Sequence, residues 1–230
     1  MGLVKKLNIS PKEAVKIQRE LAQLVIQENS FDKINFVAGI DVSQPPFKQE
    51  GPLYAAICVL SFPDLKIVEQ VSSAQTTDFP YIPGLLAFRE TPVIIKALEK
   101  VTIRPDVILV DGHGISHPRK LGIASHIGVL TGYATIGCAK SILIGKPEKE
   151  LPLEKGNFVP LIHKNTIIGN VLRTKTGVSP VYVSIGNRIT LDKATEIVLA
   201  CTTKYRLPEP TRIAHQYANY VRKQICGNTT

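Results

Sequence analysis

Four apolar residues in a row, Val107-Ile108-Leu109-Val110, run straight into Asp111. A strand that is apolar at every position has no face left for water, so it belongs inside a sheet covered on both sides. Such strands are typically parallel, because helical crossovers are what cover both faces. The flanking sequence agrees. Gly112 and Gly114 form a glycine-rich loop, helical spacing follows from about Gly122 to Tyr133, and a further short strand spans Thr135 to Lys140.

Upstream the pattern differs. Strand-like runs cover Asn35 to Val42, Leu53 to Phe62 and Leu65 to Thr76. A loop with Pro45, Pro46, Gly51 and Pro52 separates the first two, and Pro63-Asp64 joins the last two. So short a turn joins antiparallel neighbours, and the three runs read as a meander. Ahead of them, Ser10-Pro11-Lys12-Glu13 has the signature of a capping box, and Ala14, Ile17, Leu21 and Leu24 recur at helical spacing to about Glu28. Pro83 to Lys100 is also helical in spacing, interrupted at Thr91-Pro92, where Thr91 can cap a second helix opened by Pro92. Leu151 to Ser184 contains strand-like runs with Pro and Gly breaks; Thr190 caps a helix to about Thr203, and Pro210 opens a last helix to about Ile225. The expectation is one α/β domain over residues 1–230: a mixed sheet, an antiparallel meander followed by parallel strands, with helices on both faces.

Charge narrows the partners. There are 28 Lys and Arg against 19 Asp and Glu, and the pI is about 9.4. That excess favours a polyanion, nucleic acid first and an anionic membrane surface second. Cys58, Cys138, Cys201 and Cys226 are too far apart for a C-x-x-C pair and lie within apolar segments, which fits a reducing, cytoplasmic setting. No apolar run long enough for a signal peptide follows Lys5 and Lys6, and no membrane span is visible. Ile144-Gly145-Lys146-Pro147 lacks the spacing of a phosphate loop, and no G-x-S-x-G elbow is present.

Three carboxylates stand out. Asp41 ends an otherwise apolar strand, Phe36 to Val42, where a carboxylate is costly unless it is paired, hydrogen-bonded or bound to a metal; the other reading has it pointing to the solvated face. Asp111 sits at the carboxyl end of the buried strand, where open α/β sheets bind ligands, though an aspartate there can also serve as a cap. Glu90 alone would pass for a surface residue; it gains weight as the third acid. Three acids on separate elements suit magnesium, a hard cation that takes oxygen ligands and assists in-line attack at phosphate. His113 and His117 lie four apart among glycines and a proline, a poor zinc pair. His126 reads as structural, and His163 carries no signal. His215 lies opposite the apolar stripe of its helix, on open surface or in a wet cleft. Pro80-Tyr81-Ile82-Pro83-Gly84 is a stiff loop of the kind that can wedge between stacked bases, or a buried turn.

Taken in order and spacing, Phe36 to Ser43, Pro80 to Glu90, Val110 to Arg119 and Thr211 to His215 resemble the endonuclease V family, over about residues 8 to 225. The resemblance implies a ribonuclease H-like fold. It implies an acidic metal site of Asp41, Glu90 and Asp111 completed by His215, and a catalytic lysine at Lys140. It further implies a strand-separating wedge of Tyr81, Ile82 and Pro83, and a flipped-base pocket near Leu86, Gly112 and His117. The implied enzyme is a monomeric DNA repair endonuclease. It uses magnesium, with manganese as a substitute, and cleaves DNA containing deoxyinosine or other deaminated bases at the second phosphodiester bond 3′ to the lesion, leaving a 3′-hydroxyl and a 5′-phosphate. An inosine-specific endoribonuclease is the runner-up. A binding-only module is the third reading, against which the intact carboxylate set argues.

Overall fold

The computed structural model of the chain describes residues 9–45 and 51–227, with the side chains of residues 226 and 227 left out. Lys5, Lys6, Pro46 and the Cys226 side chain therefore lie outside the described residues. The capping box forms: Ser10 Oγ accepts from the Glu13 amide at 3.3 Å, and the Glu13 carboxylate accepts from the Ser10 amide at 2.9 Å. It opens helix α1, Pro11–Ala22. The meander follows as β1 (Phe36–Ser43), β2 (Pro52–Ser61) and β3 (Ile67–Thr76), antiparallel throughout.

Helix α2 (Leu86–Leu98) then leads to β4 (Val107–Val110), α3 (Ile123–Thr131) and β5 (Ala134–Ala139). Strand β4 is parallel to β1 on one side and to β5 on the other, and all four of its residues are buried. Full burial of each such side chain stabilises the fold by about 1.5–3 kcal/mol. The remaining strands, β6 (Lys146–Pro147), β7 (Phe158–His163), β8 (Thr166–Leu172) and β9 (Val181–Asn187), precede α4 (Leu191–Ala200) and α5 (Glu209–Gly227). The result is a mixed sheet of nine strands in the order β3-β2-β1-β4-β5-β9-β8-β7-β6. Beyond β5 every pairing is antiparallel.

Helices cover both faces. On one, Val37, Leu109, Ile136 and Val183 pack with Ala194, Ile197 and Ala214 of α4 and α5. On the other, Ala38, Ile40, Ile108 and Val110 pack with Val93, Ile94 and Ala97 of α2 and Ile123, Ala124 and Ile127 of α3. Alternation along β1 thus sends Val37 one way and Ala38 the other. Cys58, Cys138 and Cys201 are free and buried, small hydrophobes as expected.

Two boundaries differ from expectation. Helix α1 stops at Ala22 rather than near Glu28, because the backbone of Ile26 bonds instead to the end of β9: Ile26 N–H donates to Asn187 Oδ1 at 2.9 Å, and its carbonyl accepts from Arg188 at 2.6 Å. Pro92 does not open a second helix. It lies within the continuous α2, where Ala87, Val93, Ile94 and Ala97 form one buried stripe. The packing of that stripe outweighs the roughly 3 kcal/mol that an internal proline costs.

Candidate active site

In the parallel pair of β1 and β4, Ile40 lies opposite Val110. The next residue on each is an aspartate, so Asp41 and Asp111 leave neighbouring strand ends side by side, where ligands of open α/β sheets bind.

Helix α5 decides where Asp41 points. Alternate residues of a strand are about 6.7 Å apart, and four residues of a helix rise about 6 Å. The two repeats nearly match, so alternate residues of β1 meet successive turns of α5: Gly39 at Pro210, Asp41 at His215 and Ser43 at Asn219. Glycine is required at the first contact, since a Cβ on Gly39 would lie 2.0 Å from the Pro210 carbonyl oxygen. At the second, His215 Nδ1 is 2.9 Å from Asp41 Oδ2, with the Asp41 side chain 12% exposed and that of His215 52% exposed. Asp41 therefore does not face open solvent, while the His215 ring that covers it is half exposed. At the third, Ser43 Oγ donates to Asn219 Oδ1 at 2.8 Å, and Arg222 Nε donates to Ser43 Oγ at 2.9 Å. Asn219 Nδ2 is left to donate to His215 Nε2 at 3.0 Å, which makes Nδ1 the protonated nitrogen that donates to Asp41.

Lys140 follows β5, and its ammonium pairs with Asp111 Oδ2. Arg206 holds the Lys140 carbonyl at 2.8 Å. Glu90 reaches the same place from α2, on the opposite face of the sheet. Burial, then the charge of Asp41, push its pKa up to about 8, with Asp111 adding to this and Arg89 opposing it. The pKa of Asp41 is raised by burial and then by Asp111, against the pull of His215. All three acids thus feel one another. Among the described residues, no three His, Cys, Asp or Glu side chains already surround one point as ligands would. Asp41 is held by His215 and Asp111 by Lys140. The donor set is nonetheless the oxygen-rich one that a hard divalent cation takes, and such an ion would favour the ionised form of Glu90 that burial and the neighbouring acids oppose.

Beside this cluster lies a cavity of about 200 Å³, lined by Tyr81, Ile82, Pro83, Leu86, Gly112 and His117 together. Tyr81 is 56% exposed, so the stiff loop is not a buried turn. Burial, with help from Arg119 and His113, pushes the His117 pKa down to about 4, leaving the ring neutral near neutrality. His113 Nε2 lies 3.0 Å from the Ser141 carbonyl, and the His117 Nδ1 accepts from the Arg119 amide at 3.2 Å, so the two do not pair around a metal. His126 is buried edge-on to Phe88 at 4.8 Å, a packing role. A larger cavity of about 290 Å³ between α1, α2 and α3 touches none of the expected site residues. The sequence reading missed Gln18 and Leu143, which also line the smaller cavity, and the Ser43–Asn219 contact. These carry no local signal, since each depends on partners distant in the chain.

By fold and site together this is a basic α/β protein with an acidic centre where neighbouring parallel strands end. More particularly, a model of the family Endonuclease V matches residues 19–216, and the chain belongs to that family. It is 55% identical over 211 residues to an endonuclease V of Rippkaea orientalis, covering 91% of this chain and 90% of that protein. The crystal structure of an endonuclease V from Streptomyces avermitilis superposes with a TM-score of 0.90 at 37% identity, covering 96% of both chains. That of Ciona intestinalis endonuclease V, in complex with a DNA 24mer containing an inosine followed by a ribo-adenosine, superposes with a TM-score of 0.82 at 32% identity, covering 93% of this chain and 98% of that one.

Proposed function

We propose that this chain is a magnesium-dependent endonuclease that nicks DNA near a deaminated purine, hypoxanthine foremost. The observation that carries the reading is the adjacency of Asp41 and Asp111 at neighbouring strand ends, with Glu90 near enough for both to act on its charge, beside a cavity bordered by the exposed Tyr81 loop. The Ciona intestinalis relative bound to inosine-containing DNA supports it. The run β3-β2-β1-β4-β5, a meander leading into parallel strands, supports a ribonuclease H-like core; that residues 1–230 work as one domain in a cytoplasmic monomer belongs to the proposal.

Asp41, Glu90 and Asp111 would hold magnesium, or manganese in its stead, with His215 completing the set. When bound, such an ion supplies a Lewis acid at the phosphate and a positioned water for in-line attack. The protein's own groups do the rest. Lys140 offers positive charge to the phosphate, and His215 stands ready to ligate or to move a proton. Tyr81, Ile82 and Pro83 enter the stack while the displaced base occupies the cavity against Leu86, Gly112 and His117. A mispaired hypoxanthine costs less to extrude than a paired base. Its 6-keto oxygen, absent from adenine, would accept from backbone N–H in the glycine-rich loop. The bond cut is the second phosphodiester 3′ to the lesion, leaving a 3′-hydroxyl and a 5′-phosphate.

Inosine-specific cleavage of RNA is the second reading, favoured by the ribose that follows inosine in the Ciona intestinalis complex. Asp111→Ala tests the catalytic assignment: magnesium-dependent nicking should disappear while binding to a single-inosine duplex persists. Undiminished nicking would refute it.

A further inference from the structure

We infer that Gln18, a buried residue of α1 outside every motif of the site, is a positioning residue that sets the geometry of the base cavity. The inference rests on the reading above, in which this cavity receives a displaced base.

Gln18 is 1% exposed and lines the cavity. It lies in the apolar stripe of α1 with Ala14 and Leu21, where a polar side chain is costly unless fully bonded. Its amide is fully bonded. Nε2 donates to the Gly84 carbonyl at 3.0 Å and to the Leu121 carbonyl at 2.7 Å, while Oε1 accepts from Arg119 Nε. Reversing the amide would set an oxygen against two carbonyls and a donor against Arg119, so its orientation is fixed.

These partners lie on the two segments that form the cavity. Gly84 ends the stiff loop that presents Tyr81 and Ile82; Arg119 and Leu121 belong to the segment carrying Gly112 and His117. Arg119 Nη2 also donates to the Gly84 carbonyl, at 2.8 Å. Glycine suits the junction. Gly84 has a φ of +80°, and a Cβ there would lie 2.7 Å from Arg119 Nη2. Gln18 therefore cross-links the wedge loop to the segment that follows the glycine-rich loop, and residues of both line the cavity.

Gln18→Leu keeps the volume and removes all three hydrogen bonds. Amide hydrogen exchange tests the cross-link without reference to activity. Residues 80–86 and 117–123 should exchange faster in the variant, whereas faster exchange confined to α1 would show a mere helix anchor and overturn the proposal. Kinetics test the consequence. On a single-inosine duplex the variant's KM should rise about tenfold, with kcat within about twofold of wild type. Preference for inosine over adenine should fall in step. Should Gln18→Leu fail to fold, Gln18→Met takes its place. It keeps the unbranched shape of the side chain, loses the same three hydrogen bonds, and should show the same exchange pattern and KM shift. An unchanged KM and preference in a folded variant overturns the role. Wild-type protein that ignores inosine would instead sink the functional reading, leaving the exchange result to judge the cross-link.

Discussion

Glu90 is the acid of the cluster with most to gain from a cation. Burial and then Asp41 raise its pKa to about 8, so the metal-free protein holds a proton there that an unfolded chain releases at ordinary glutamate pH. The native state binds the extra proton between those limits, and stability falls as pH rises through them. The melting temperature of metal-free protein should therefore decline from the ordinary glutamate range up to about pH 8, and Glu90→Gln should flatten that decline. An equal slope in wild type and variant would show that Glu90 is not the group responsible. Asp41 and Asp111 stood out in the sequence as acids at the ends of apolar runs, but the local pattern left a solvated strand end open for the first and a cap for the second. His215 was legible only as an open choice: periodicity gave its angle on the helix and could not say what lay opposite. Gln18 and Asn219 had no signature, since a glutamine or asparagine in a helix looks the same whether it faces water or a carbonyl from across the chain.

Among the elements, the pairing of β1 with α5 does most to build the site. Gly39, Asp41 and Ser43 share one face of the strand, and Pro210, His215 and Asn219 meet them in turn. Gly39→Ala would place a methyl group 2.0 Å from the Pro210 carbonyl oxygen and push the helix outward. Overpacking of this kind costs about 1–3 kcal/mol. Chemical denaturation should register that loss, with nicking reduced further because His215 leaves Asp41. Wild-type stability in the variant would contradict the close packing. The strands of the meander were readable to within two residues, because alternation and a short turn fix them locally. Continuity through Pro92 was not, because the stripe that keeps α2 whole is packed by a sheet the local sequence does not reveal.

On the scale of the whole molecule, an excess of nine basic residues over acidic ones goes with a small group of acids at the ends of β1 and β4. Such a distribution draws a polyanion toward the surface and a cation to the cluster. No helix among the described residues is long and apolar enough to cross a membrane. The mixed α/β sheet with helices on both faces follows from the order of local patterns, but the placement of β9 beside β5, with β8, β7 and β6 beyond it, does not. That placement rests on one pairing between strands distant in the chain, β5 with β9; β8, β7 and β6 then follow outward as consecutive antiparallel neighbours. The most direct measurement compares a DNA duplex carrying one inosine with the same duplex carrying adenine, each with and without magnesium, and maps the product ends. The expected result is a nick at the second phosphodiester bond 3′ to inosine, only with magnesium, with the adenine duplex intact. Equal cleavage of both duplexes, or cleavage that persists without a divalent metal, would contradict it.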